Sequence, residues 1–410
     1  MRLDTLELLR EGTLRQTESI RGKAAIAGLG ITPMGRIYGR DVVYFAKEAV
    51  RLAVEDAGLQ KQDIDGLLIN PGTTPLGGFA GLALQGALGL GDLRFMNSMN
   101  MGGATAISMV QFAAMAVVHG LANYVVCVFA DAPLREGRGG SAAYGGWAPA
   151  LQPRGLSELY LAYGLFGVNA PYALAARRHM DLYGTTNDHF GAIAVAERQW
   201  AAMNPLAQER EPMTMEDYHN SRWIVEPLHL YDCCLVSNGG VAVIVTTAER
   251  ARALRQPPVY ILGMGQGHRG ALSRPGWDAD TVTGAGISKD IAFRMADISL
   301  NDVDICELYD CYTYTVLVTI EDYGFCEKGE GGPYVADGKL APGGTLPTNT
   351  GGGMLSGYYM WGMTPLSEAV IQARGQGGER QVAKHDVVLV GGNGGILEHH
   401  CTLILSPHPS

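Results

Sequence analysis

The feature that most constrains this chain is a regular alternation of two hydrophobic periods. Short apolar runs such as KAAIAGLGITP, IDGLLINPG, LRFMNSMN and ANYVVCVFAD alternate with stretches whose apolar residues recur at helical spacing. VVYFAKEAVRLAVEDAGL is one such stretch, stopped by Gly58, and FAGLALQGALGL is another. Buried runs separated by helices call for parallel strands joined by crossovers, hence an α/β fold. GGATAISMVQFAAMAVVHG is apolar on nearly every side, which predicts a helix buried at the centre of the molecule.

The order of elements then recurs. GGVAVIVTT reads as a buried strand, AERARALR as a short helix, and Gln256-Pro257-Pro258 as a break. VYILGMGQG opens a second series: helix ISKDIAFRMADIS, strand VDICELYD, helix TYTVLVTIEDYG stopped by Gly324, helix PLSEAVIQARGQGG, and strands DVVLVGGNGG and LEHHCTLIL. The expectation is two α/β halves, 1–252 and 253–410, alike in order of elements without a letter-level repeat. Residues 1–22 read as a polar, partly helical preface, and 157–203 as helical. Residues 132–156, rich in Gly, Ala, Pro and Arg, read as a long loop, either functional or a surface excursion.

Composition narrows the function. A chain of 410 residues, 47% hydrophobic, can bury a large core without disulfides or metals. Its net charge of −10 argues against nucleic acid as the main partner and leaves room for a small anionic ligand in a locally positive pocket. The seven cysteines show no framework spacing and no C-x-x-C pair, so they are expected to be reduced intracellular thiols without zinc. The N-terminus lacks a secretory h-region, no apolar run is long enough to span a bilayer, and the terminal SPHPS is not a peroxisomal address. The expected location is the cytoplasm.

The most specific text lies in the second half: ELYDCYT, GFCEKGEGG, LPTNTGGGMLSGYY and an E-x-x-x-Q-x-R-G helix, in that order. With MNMGGATAIS, NPLAQEREPMT and EPLHLYD in the first half, the chain resembles the sterol-carrier-type thiolases over nearly its whole length. That resemblance implies the thiolase fold, two pseudo-repeated βαβαβαββ halves in α/β/α/β/α layers. It also implies a homodimer and a substrate that is a CoA thioester.

Three departures bear on chemistry. Thiolases carry a nucleophilic cysteine where a central helix begins, because the helix N-terminus lowers a thiol's pKa. Here that place falls on Gly103, followed by Ala104 and Thr105, and no cysteine occurs in residues 95–126. An acyl-cysteine route is therefore closed. The histidine of the family's HDCF-like block is replaced by Tyr309, and that of its G-G-x-L-S-x-G-H-P-like block by Tyr359, with Tyr358 before it. Either these are ordinary buried aromatics or two histidines have been exchanged for a weaker acid–base group. A phenol, with a pKa near ~10, donates readily to an oxyanion and serves as a base only where phenolate is stabilised.

This pattern resembles the steroid side-chain-cleaving aldolases, a branch of the same family. The resemblance implies retro-aldol cleavage of a β-hydroxyacyl-CoA with a tertiary alcohol, giving a ketone and a short acyl-CoA such as propionyl-CoA. It implies Tyr309 and Tyr359 as the acid–base pair. It also implies a small OB-fold, zinc-ribbon acyl-CoA-binding partner, the two forming a heterotetramer. No cofactor beyond the substrate's own coenzyme A is expected.

Backbone N–H groups near Gly102 and Gly103 are candidates to hold the enolate oxygen. Further candidates for substrate contact are Asn393, His399 or its neighbour His400, Tyr358, and His268 with Arg269. Asp310 is expected to orient a turn, and Tyr312 and Tyr314 to sit in the core. Two other functions stay open. One is a catalytically silent acyl-CoA or lipid-binding subunit. The other is an acyltransferase that borrows a partner's thiol.

Overall fold

The computed structural model describes residues 19–73, 80–138, 163–164, 167–269 and 281–410. The N-terminal preface and most of the 132–156 loop therefore lie outside the described residues. In chain order the first half comprises β1 (Ala24–Ile31), α1 (Val42–Ala57), β2 (Gly66–Asn70), α2 (Ala80–Leu88), β3 (Phe95–Ser98), α3 (Thr105–Val118) and β4 (Val125–Asp131). Helices α4 (Asn169–Tyr183) and α5 (Asn187–Ala202) follow, then a hairpin of β5 (Trp223–Val225) and β6 (Leu228–His229), and β7 (Gly239–Thr247). The second half comprises β8 (Val259–His268), α6 (Ala285–Ala296), β9 (Ile305–Leu308), α7 (Thr313–Tyr323), α8 (Met363–Ala373), β10 (Val388–Gly394) and β11 (His399–Ser406).

Among the described residues, nine strands join in the order β3-β2-β4-β7-β1-β8-β11-β10-β9. Read outward from the centre, the two halves mirror each other. Each first strand (β1, β8) lies beside its antiparallel last strand (β7, β11), and then come parallel strands (β4 with β2, β10 with β9). The halves meet where β1 and β8 pair antiparallel over only two registered residue pairs, Ala25 with Tyr260 and Ile26 with Val259. The second half departs from the expected pattern at its third strand. Where β3 has a counterpart there is one parallel bridge, Cys306 with Thr348. Pro347 has no N–H to give a ladder, and Asn349 at φ 51° turns the backbone out of extended geometry.

Helix α1 packs on β1, β7 and β4, and α6 on β8 and β11, so each covers its own half. Helices α3 and α8 touch strands of both halves and fill the layer between them. This explains the all-apolar character of α3, in which eleven residues from Thr105 to Val117 are buried. α1 shows the opposite economy of residues: Phe45, Ala49, Val50 and Ala53 face the sheet while Lys47 and Arg51 stay outside. Gly58, at φ 73°, caps it by donating to Glu55 and Val54 carbonyls. Among the described residues, no helix is long and apolar enough to cross a membrane.

Candidate active site

The site is built where the central layer meets the ends of β9 and β10. Chain leaving β9 carries Tyr309. Its N–H donates to the Gly391 carbonyl at 2.9 Å, and its own carbonyl accepts from the Thr315 hydroxyl at 3.0 Å. The preceding residue, Leu308, donates to Asn349 Oδ1 at 2.7 Å. Tyr359 follows a π-helical turn over Gly353–Gly357. Its N–H donates to Ser237 Oγ at 3.0 Å, and Gln208 Nε2 donates to the same oxygen at 2.6 Å. Two loops from opposite sides thus fix one tyrosine each, and their hydroxyl oxygens stand 3.3 Å apart. That separation is long for an O–H···O bond, as is common before substrate tightens a site.

Gly103 explains the pairing. A Cβ placed on it would overlap Cε2 and Cζ of Tyr309 and the carbonyl oxygen of Asn393. The phenol ring fills the space where a side chain at the start of α3 would stand. Neither a cysteine nor any other side chain fits at 103 while Tyr309 holds its place.

Tyr309 is 6% exposed. Burial pushes its phenol well above the usual tyrosine range, with a further push from Cys311, while the hydrogen bond to Tyr359 pulls the other way. It is a neutral hydroxyl near pH 7. Tyr359 is only half-buried.

Asp310 has a structural role, as expected, but it orients a distant turn and not the strand–helix turn in which it lies. Its Oδ2 accepts from the N–H groups of Met354 and Leu355 at 2.6 and 3.1 Å, which clamps the turn leading to Tyr359. Burial raises its carboxyl to about 6, opposed by these bonds and by Glu197. Tyr312 and Tyr314 are buried in the core.

The remaining candidates divide. The Gly102 N–H is already given to Asn100 Oδ1 at 3.1 Å. Gly102 lies against Gly394 and Gly395, the turn of the β10–β11 pair. His399 sits beside Gly395 at the same strand ends, with its Nδ1 3.1 Å from Nδ1 of His268. His268 in turn meets Gln266 Oε1 at 3.1 Å. His400 goes elsewhere: it is buried, 3.0 Å from Ser288 Oγ, and burial lowers its imidazole to about 3. Arg269 donates its backbone N–H to the Glu398 carbonyl. Tyr358 also points away from the pair, its hydroxyl 2.6 Å from Ser367 Oγ. Asn393 is fully buried, and among the described residues its side-chain oxygen and nitrogen have no hydrogen-bond partner.

Sequence reasoning missed Ser237, Gln208, Asn349 and Glu197, which hold the tyrosine loops from distant elements. One local signal was available: M-x-G-x-T occurs at 101–105 and again at 360–364, at the start of each central helix.

Fold and site together define a thiolase-type scaffold in which a tyrosine ring lies against Gly103 at the start of the central helix. Residues 268–407 match the model described as "Thiolase C-terminal domain-like". The chain is 38% identical over 390 residues to a steroid side-chain-cleaving aldolase of Thermomonospora curvata, covering 91% of this chain and 96% of that one. It is 37% identical over 383 residues to a 17-hydroxy-3-oxo-4-pregnene-20-carboxyl-CoA lyase of Mycobacterium tuberculosis, covering 92% and 97%. The solved structure of an Ltp2-ChsH2(DUF35) aldolase superposes with a TM-score of 0.82 at 37% identity, over 95% of this chain and 99% of that one. The chain belongs to the thiolase superfamily, in the sterol-carrier-type branch that holds the steroid side-chain-cleaving aldolases.

Proposed function

We propose that the chain cleaves a steroid β-hydroxyacyl-CoA by a retro-aldol reaction, giving a ring ketone and a short acyl-CoA. It is a carbon–carbon lyase of CoA thioesters. In the substrate named for the M. tuberculosis relative, a 17-hydroxyl lies β to a 20-carboxyl thioester. Breaking the C17–C20 bond of such a compound leaves a 17-ketone and propionyl-CoA.

The observation that carries this reading is the tyrosine pair, 3.3 Å apart, over a glycine where a thiol would stand. The reaction moves one proton from an alcohol oxygen to a carbon, and the pair suits a relay. One hydroxyl accepts the alcohol proton as it passes its own to the second. As the alcohol oxygen's electrons form the ketone, those of the breaking C–C bond form a thioester enolate. In the same concerted transfer the second tyrosine gives its own proton to the developing enolate carbon, so neither phenol is doubly protonated. No free phenolate accumulates, which agrees with a Tyr309 held neutral by burial. The unpartnered Asn393 amide and the start of α3 are the groups assigned to the thioester oxygen. No metal and no Schiff-base lysine takes part.

A small DUF35-type protein with an OB-fold and zinc ribbon is the proposed partner, after the assembly named for the superposed structure. The working unit is two copies of each chain, in the cytoplasm.

Turnover of a steroid β-hydroxyacyl-CoA by the co-expressed complex tests the reading. Tyr309→Phe and Tyr359→Phe should each lower kcat by roughly 10²–10⁴ while the protein stays folded. Substrate bound without release of a ketone would make the chain a silent subunit. Full activity in both variants would move the acid–base chemistry elsewhere.

A further inference from the structure

Behind the tyrosine pair lies a second pair of acids. Glu197, on α5, and Asp310 are both buried, at 2% and 0% exposure. Their carboxyls meet across Gly353: a Cβ built on that glycine would overlap Asp310 Oδ2 and Glu197 Oε2 together. Gly353 sits at φ 57° and opens the π-helical turn toward Tyr359.

The bonds around this pair connect both catalytic loops. Glu197 Oε1 accepts from Asn349 Nδ2 at 2.8 Å, and Asn349 Oδ1 accepts from the Leu308 N–H, one residue before Tyr309. Asp310 Oδ2 accepts from Met354 and Leu355, on the turn before Tyr359. Among the described residues, neither Glu197 Oε2 nor Asp310 Oδ1 has a hydrogen-bond donor from any other group. Two buried carboxylates face to face cannot both ionise, and a hydrogen bond between them needs one proton.

We propose that Glu197 is a positioning residue for the tyrosine pair: as the neutral acid it donates to Asp310 and accepts from Asn349, tying the Tyr309 segment to the Tyr359 turn. Burial and the facing Asp310 push the Glu197 carboxyl well above the usual range, and the same bond lowers Asp310. The groups that face this pair are Glu307 and Cys311 on the β9 side and Cys234 on the 233–238 segment. Tyr309 faces Asp310 from the same loop. Farther along, Glu368 faces Glu307 and is held by Arg380, beside Tyr358. Among these, only Arg380 is cationic, and its Nε and Nη2 are given to Glu368. Arg198, the next residue on α5, gives its Nε to Ser356 Oγ and its Nη1 to the Glu211 carbonyl, and neither bond reaches the acid pair. Loss of the Glu197 proton to solvent therefore replaces an attraction between the two loops by a repulsion.

This inference rests on the aldolase reading, and the test separates the two. The complete complex is assayed from pH 6 to 10 as wild type, Glu197→Gln and Glu197→Ala, with thermal unfolding and affinity for a substrate analogue lacking the β-hydroxyl measured in parallel. Glutamine keeps both hydrogen bonds and has no proton to lose. Its kcat should stay within about threefold of wild type at pH 7, and the alkaline fall in kcat should move upward or vanish. Alanine should lower kcat by about 10–100-fold through misplaced tyrosines, with analogue affinity little changed. An alkaline limb in Glu197→Gln identical to wild type would overturn the proposal, as would full kcat in Glu197→Ala. If Glu197→Ala does not fold, the glutamine profile alone decides. Absence of turnover in wild type would instead defeat the aldolase reading, and the shared proton would then be read from unfolding alone.

Discussion

Helices α3 and α8 begin in nearly the same way, and the small differences between those beginnings are where the chemistry lies. Both read M-x-G-x-T. The Thr105 hydroxyl accepts from the Met101 N–H at 2.7 Å, and the Thr364 hydroxyl from the Met360 N–H at 2.9 Å. In both, the residue after Met takes a left-handed backbone, Gly102 at φ 58° and Trp361 at φ 49°. The two openings touch: a Cβ on Gly362 would overlap the Gly103 carbonyl. They differ in what fills the space beside them. The first has two glycines, and a tyrosine from another loop lies over it. The second carries a tryptophan, stacked on Phe129 with centroids 5.2 Å apart, and presents its own tyrosine just ahead. One opening is empty and receives a tyrosine ring from another loop, and the other is filled by an indole beside its own tyrosine.

Four experiments would break or sharpen this contrast. The largest effect is expected from refilling the first opening. Gly103→Cys should not create a thiolase nucleophile. It should displace Tyr309, lowering kcat by about 10² or more, and cost about 1–3 kcal/mol of stability through overpacking. Kinetic assay and denaturant unfolding check both numbers, and a single variant that acylates with near-native stability would refute the steric coupling. Trp361→Gly tests the filled opening. Losing the buried indole costs about 3–5 kcal/mol, and relief of the left-handed backbone returns about 1–2, so a net loss near 2 kcal/mol is expected. A stabilised variant would mean that backbone strain dominates there. Thr105→Val and Thr364→Val should each cost about 1–2 kcal/mol by leaving a methionine N–H unpaired. Equal costs in unfolding experiments would show the two openings energetically equivalent apart from their occupants.

The smallest effect is on pH dependence. The second opening is reached through a turn clamped by a buried carboxylate, the first through an amide, Asn100. Burial pushes the Asp310 carboxyl up from an ordinary 3.8 to about 6 in the folded chain. Between those values the native state binds a proton that the unfolded chain has released, so stability falls as pH rises through about 4 to 6. Asp310→Asn should flatten that slope in a series of melting curves, and Asn100→Ala should leave it alone.

Much of the scaffold was legible because its signals are local. Gly58 and Gly324 end helices as the sequence suggested, with φ of 73° and 86°, and the largely apolar α3 lies between the two halves. The third strand of the second half was not legible as a near-absence, because one proline and one left-handed asparagine remove it. In the site, the two tyrosines were singled out by their motifs, and the structure brings their hydroxyls together. Their supports were not legible. Glu197, Gln208 and Ser237 reach the loops from elements more than a hundred residues away, and nothing in their own surroundings marks them. Likewise, adjacent residues could not be told apart: Tyr359 meets Tyr309 while Tyr358 meets Ser367, and His399 meets His268 while His400 meets Ser288. Which way a side chain turns is decided by packing around it.

The overlap between position 103 and the Tyr309 ring also has a historical meaning. An ancestor with a thiol at 103 could not have accepted this tyrosine until the thiol was gone, and a descendant cannot regain the thiol while the tyrosine remains. Each step alone gives a protein with neither complete machinery. Once both changes were in place, no single substitution leads back. Related lineages should therefore hold one residue combination or the other, with mixed forms rare and inactive.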